Sequence, residues 1–244
     1  MLAQPYAKRR IMTNTSSDYT ALEGHFSDSR LRLYLTATGG DQEQAIELYE
    51  WNAQLAAAFF VDLGHLEVSL RNALDARMTL RHAAKQRTGT WLDDPTGELG
   101  RRTPGPHKQP YKDIATARDR VRANKKSMSP GQVLSETGFG LWHQLVSKRW
   151  TVLWPDLADA FPQAPDRTRE TVAEPLSRLK DLRNRIGHHH RIWSQPCTDL
   201  HGDLLTLAGY ISADLEKWIS TRSDVPRLLA RSPLTPPPSA PSRP

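Results

Sequence analysis

The chain has 244 residues, 38% of them hydrophobic, a mean hydropathy of -0.61 and a formal charge of +6. That length holds one domain of long helices or two small ones. Its longest apolar run, Leu55–Val61, falls far short of the roughly 18–20 residues that span a bilayer, so no membrane partner is expected. One cysteine, Cys197, excludes an intrachain disulfide and fits a reducing compartment, with the cytoplasm as the expected location. The sequence pI of about 9.6 suits a polyanionic partner, although Lys and Arg are spread along the whole chain.

Residues 1–20 are polar and irregular and are read as a flexible leader. Lys8, Arg9 and Arg10 have no apolar core behind them, so a secretory signal is not expected, and Met12 would serve as well as Met1 as a start. A short helix is expected after Ser27, carrying Leu31, Tyr34 and Leu35 and ended by Gly39-Gly40. Asp41 then caps a long helical stretch. Ile46, Tyr49, Ala53, Ala56, Phe60 and Leu63 recur at three- and four-residue steps, and the pattern resumes as Leu66, Leu70, Ala73, Leu74 and Met78. Gly64 is the expected place for a break or bend.

Eight Gly and Pro residues between Gly89 and Pro110 mark a long loop over 88–110, of a length that is often functional or mobile. A basic segment, Tyr111 to Lys126, follows. Ser129-Pro130-Gly131-Gln132 has the form of a helix start, and that helix carries Val133, Leu134, Phe139, Trp142, Leu145 and Val146. A helix over about 167–187 shows Val172, Leu176, Leu179, Leu182 and Ile186, with Pro175 expected to kink it or delay its start. A last helix is expected over about 199–220. The residues from 222 to 244 form a Pro-rich tail read as disordered. No segment alternates at period two, so the expected class is all-α, a helical bundle with long antiparallel helices over 21–221.

The chemically informative string is Leu182-Arg183-Asn184-Arg185-Ile186-Gly187-His188-His189-His190-Arg191-Ile192-Trp193. At 100° per residue Asn184 and His188 lie one above the other, while Arg183 is offset from His188 by about 140°. A long Arg side chain reaches around that offset, and Gly187 permits the last turn to open. A guanidinium, an amide and an imidazole thus converge on one anion. The imidazole, with an ordinary pKa of roughly 6.5, is suited to take a proton from a ribose 2′-OH. The guanidinium is suited to stabilise charge on the phosphate.

The string Arg183-Asn184-(Arg185, Ile186, Gly187)-His188 resembles the signature of the HEPN superfamily, Arg-Asn-x3-His. Thr38-Gly39-Gly40-Asp41 with Leu48-Tyr49-Glu50-Trp51-Asn52, and His65-Leu66-Glu67-Val68-Ser69-Leu70-Arg71-Asn72-Ala73-Leu74, resemble its Abi-like (abortive infection) family in particular. The resemblance covers about residues 22–220. It implies an α-helical fold, a homodimer with two Arg/His sets facing across a cleft, and a metal-independent endoribonuclease of phage-defence or toxin–antitoxin type. Catalytic roles fall on Arg183, Asn184 and His188; no cofactor is implied, and a cognate antitoxin protein is a further partner. The family commonly has His-His-Glu where this chain has His188-His189-His190.

Other residues carry two readings. Glu67, Arg71 and Asn72 form a polar strip in an apolar helix; Glu67 and Arg71, four apart, are either an intrahelical ion pair or, with His189, supports lining the cleft. Arg185, Arg191, Lys112, Arg118 and Arg122 are solvated cations or RNA contacts. Trp142, Trp150 and Trp154 read as core. Three consecutive histidines point about 100° apart and cannot close on one ion, so no metal site is expected. The competing functional reading is a catalytically silent module that binds RNA or a protein partner through the same surface. No helix-turn-helix spacing supports a DNA-binding regulator.

Overall fold

A computed structural model describes residues 15–100 and 109–234. Among them there is no strand; the protein is all-α. The chain forms two compact units, one from the residues up to Leu55 together with those from Arg227, the other from Ala56–Pro226.

In the first unit, α1 (Thr15–Phe26) and α2 (Asp28–Ala37) precede the start of α3 (Gln42–Ala84). Gly39 and Gly40 take positive φ of 64° and 92°, ending α2 where the sequence places its stop. Asp41 Oδ1 then accepts the Gln44 N–H at 3.0 Å and caps α3. Leu31, Tyr34, Leu48 and Leu55 are buried. Two expectations shift here. The leader read through residue 20 gives way to helix at Thr15, and its earlier part lies outside the described residues. The tail read from 222 contains α11 (Val225–Leu229), whose Leu228 is buried and accepts the Trp51 Nε1–H at 2.8 Å on its carbonyl. The tail's last stretch, 235–244, lies outside the described residues.

In the second unit α3 runs unbroken through Gly64, where the sequence suggested a break; one helical glycine costs only about 1 kcal/mol against Ala, less than the packing on either side supplies. Its buried line is Phe59, Leu63, Leu66, Leu70, Leu74 and Met78, while Phe60, placed on the same helix face as Leu63 from periodicity, is 55% exposed. The stretch after α3 is anchored rather than loose as far as Gly100. Trp91 and Leu92 are buried in a short 3-10 turn capped by Thr90, and Trp91 Nε1–H donates to Asp75 at 2.7 Å. Glu98 takes hydrogen bonds from Lys85 at 2.8 Å and Arg87 at 2.9 Å. Residues 101–108 of the expected loop lie outside the described residues.

The basic segment forms α4 (Pro110–Ala123). Ser129 does cap a helix, accepting the Gln132 N–H at 3.3 Å, but that helix, α5 (Pro130–Ser135), is short, and α6 (Phe139–Leu145) begins anew after Gly138. Trp142 and Trp150 are buried, as the sequence suggested, and Trp154 is half-buried. After a run of short turns including α7 (Trp154–Leu157), α8 (Arg169–Gly187) places Val172, Pro175, Leu176, Leu179, Leu182 and Ile186 in the core. Pro175 does not delay its start. The expected last helix divides into α9 (Cys197–Ile211) and α10 (Ala213–Ser220) at Ser212, whose backbone is extended (φ −165°, ψ 132°). The Tyr210 carbonyl, left without a helical partner there, accepts the Gln163 N–H at 3.1 Å.

Candidate functional site

The site is built from α3, α6 and α8 of the second unit. The end of α8 is a Schellman turn: His189 N–H donates to the Ile186 carbonyl at 2.9 Å and His190 N–H to the Arg185 carbonyl at 2.8 Å. The left-handed residue that this turn requires is His189, at φ 54°, and not Gly187, which remains the last helical residue. The expectation that Gly187 opens the turn is therefore corrected. The glycine serves a different purpose. A Cβ placed on it would lie 3.5 Å from Arg183 Nη1, so the Arg183 side chain runs along the last turn of α8 over Gly187. This brings cation and imidazole to the same end of the helix despite their 140° offset. His188 caps the helix, with its N–H on the Asn184 carbonyl at 3.0 Å, and both side chains face solvent.

Arg183 is half-buried, its Nε is shielded from solvent, and that atom has no hydrogen-bond partner. Glu67 of α3 lies within electrostatic reach of it, and Arg71 flanks Glu67. The Glu67 carboxylate also accepts a hydrogen bond from the backbone N–H of Phe139, the first residue of α6. Burial raises the Glu67 pKa above its ordinary value, and the two guanidiniums and the Phe139 N–H only partly offset that. Glu67 of α3 thus lies within the electrostatic influence of the first residue of α6 and of the α8 cation. Sequence reading found Glu67 and Arg183 separately. Phe139 was missed as a donor, because a backbone N–H at a helix start carries no side-chain signature.

The remaining expected site residues divide. Asn72 is exposed and its Oδ1 is 3.5 Å from Arg71 Nε. His188 and His190 bring their rings to 5.8 Å between centroids, with His189 between them turned by its left-handed backbone. Arg185 Nη2 donates to the Arg191 carbonyl at 3.4 Å, and Arg191 lies over the Trp193 ring at 6.0 Å. Arg118 pairs with Asp93, and Arg122 pairs with Asp119 at 2.8 Å on an exposed face; neither these nor Lys112, all on α4, stand on the elements that form the site. Among the described residues no group of three or more His, Cys, Asp or Glu side chains could hold a metal ion.

Chemically, the end of α8 offers a guanidinium with an unpartnered Nε, an exposed imidazole and an exposed amide. An anion seated there would give Arg183 Nε an acceptor. Comparison of the chain with protein-family models, with curated proteins and with solved structures gives no match. The fold and the site together define an all-α protein with a cationic, histidine-bearing helix end and a half-buried glutamate within electrostatic reach of it.

Proposed function

We propose that this chain is a metal-independent endoribonuclease that cleaves RNA by attack of the ribose 2′-OH. The observation that supports the reading is that Arg183 Nη1 lies against Gly187 in the last turn of α8, one residue before His188, and that Arg183 makes no ion pair among the described residues. In this mechanism neutral His188 takes the 2′-OH proton as the 2′ oxygen attacks the adjacent phosphorus. Arg183, with the Asn184 amide, binds the non-bridging oxygens as charge builds on them. The 5′ oxygen leaves with a proton returned to it, giving a 2′,3′-cyclic phosphate and a 5′-hydroxyl. Glu67 positions Arg183 and does not touch the reacting atoms.

A homodimer belongs to the same reading. Ala57, Phe60, Val61, Gly64, Val68 and Asn72 form an exposed, uncharged stripe along α3, beside Glu67 and Arg71. An apolar helix face of this kind supports isologous pairing, which would set two Arg183/His188 groups around one substrate. Placement in a phage-defence or toxin–antitoxin system, with a cognate antitoxin, rests on the resemblance to the Abi-like family of the HEPN superfamily; a cytoplasmic location is the reading that the single cysteine favours. The silent binding module is favoured by one observation: Glu67 supplies Arg183 with an internal anion nearby. The two readings separate on incubating the protein with single-stranded RNA in EDTA, beside the same strand with 2′-deoxyribose throughout. The nuclease reading requires cleavage of the first and none of the second; intact RNA in both supports the binding module.

A further inference from the structure

We infer that Arg191 and Trp193 form a stacking platform for an unpaired nucleobase; the inference rests on the RNA reading above. Three guanidiniums gather around the end of α8, those of Arg183, Arg185 and Arg191. Each has an Nε shielded from solvent and without a hydrogen-bond partner, and none makes an ion pair among the described residues. The lack of an ion pair sets them apart from Arg77, Arg81, Arg87, Arg118, Arg169 and Arg178, which are all ion-paired, although Arg81 shares the unpartnered Nε. At each of these cations the Nε donor has lost water without gaining an acceptor, which favours a polyanion arriving from outside.

The second observation is aromatic. The Arg191 guanidinium lies 6.0 Å over the half-buried Trp193 ring, and Arg185 steadies this pair by donating to the Arg191 carbonyl. The segment is pinned from below by Ile192, fully buried, whose carbonyl accepts the Cys197 Sγ–H at 3.3 Å. A flat cation over an indole presents a broad π surface on a fixed stretch of backbone. Cations interleaved with aromatic rings are what single-stranded nucleic acid uses, with phosphates on the cations and bases stacked on the rings. A duplex keeps its bases stacked on one another and cannot use such a platform, so the site selects unpaired RNA.

The test measures binding, not cleavage, in the full chain carrying His188→Ala. The probes are a fluorescein-labelled single-stranded RNA of mixed sequence and the same RNA as a blunt duplex. Trp193→Ala, added to that variant, should weaken single-strand binding about tenfold, while Trp193→Phe, which keeps a ring, should recover most of it. Arg191→Ala should weaken it too and flatten its salt dependence. Thermal melting checks that each variant is folded. Equal affinity of the Trp193→Ala protein and its parent, equal affinity for single strand and duplex, or no RNA binding by the parent would each overturn the platform. A parent that binds single-stranded RNA through Trp193, while the protein with His188 intact never cleaves it, would remove the nuclease reading and leave the platform standing.

Discussion

Glu67 and Arg183, on α3 and α8, lie close enough for the guanidinium to lower the pKa of the carboxylate, and the Phe139 N–H, at the start of α6, lowers it further. Burial still wins, so the Glu67 pKa stands above its ordinary value. A carboxyl raised in the folded state favours folding most when protonated, below its ordinary pKa, and that contribution is lost as pH rises through the folded value. Ionising Glu67 therefore costs stability.

From this follows the first prediction. Glu67→Gln, which keeps the acceptor for Phe139 and removes the charge, should leave the melting temperature at pH 7 unchanged or higher. The difference should vanish below pH about 4, where the native residue is itself protonated. RNA cleavage by this variant should fall, because Arg183 loses its positioning anion. A lower melting temperature at pH 7 with full cleavage would contradict the assignment.

The second prediction concerns Glu98. The hydrogen bond from Arg87, opposed by burial and reinforced by Lys85 and Arg81, holds its carboxyl at about 2. Here the sign is opposite: the stabilisation is present above the ordinary value and is lost as pH falls toward the folded one. Glu98→Gln should cost about 2 kcal/mol at pH 7, allowing for partial exposure, and almost nothing near pH 2. Chemical denaturation at the two pH values checks it.

The third prediction addresses the end of the second unit. Ser223 donates to Asp62 Oδ2 at 2.5 Å, and its hydroxyl lies 3.0 Å from His201 Nε2. Both Asp62 and His201 are buried. Ser223→Ala strips the shared partner from two shielded polar groups and should destabilise by about 1–3 kcal/mol in urea unfolding. A residue in a solvated tail would stay within about 0.5 kcal/mol.

The fourth prediction concerns association. Phe60 is 55% exposed on the uncharged stripe of α3, so Phe60→Glu should leave the folded chain intact. Sedimentation at micromolar concentration should show a dimer for the native chain and a monomer for the variant. A native chain that is already monomeric there would remove the two-site arrangement and leave the one-chain mechanism.

Local chemistry carried most of what the sequence told correctly. Gly39-Gly40 with Asp41 marked the end of α2 and the start of α3, and Ser129 marked α5, because turn and cap geometry depends on a few adjacent residues. The motif's placement at a helix end was legible for the same reason. What was lost depends on tertiary context. The buried line of α3 runs through Phe59 because the helix packs on that face, a choice that two adjacent phenylalanines cannot signal. The left-handed turn fell on His189 because the Schellman hydrogen bonds fixed its position, although glycine is the better residue for that backbone. Likewise α11 looked like solvated tail because its anchoring contact, the Trp51 indole on the Leu228 carbonyl, joins distant parts of the chain.

The central claim is tested most directly by RNA cleavage in EDTA with the native protein and His188→Ala, reading both the rate and the chemistry of the new ends. The account predicts 2′,3′-cyclic phosphate and 5′-hydroxyl ends from the native protein, and a rate at least about 100-fold lower from His188→Ala at an unchanged melting temperature. Undiminished cleavage by His188→Ala, or cleavage that needs added Mg²⁺ and leaves 5′-phosphates, would contradict it.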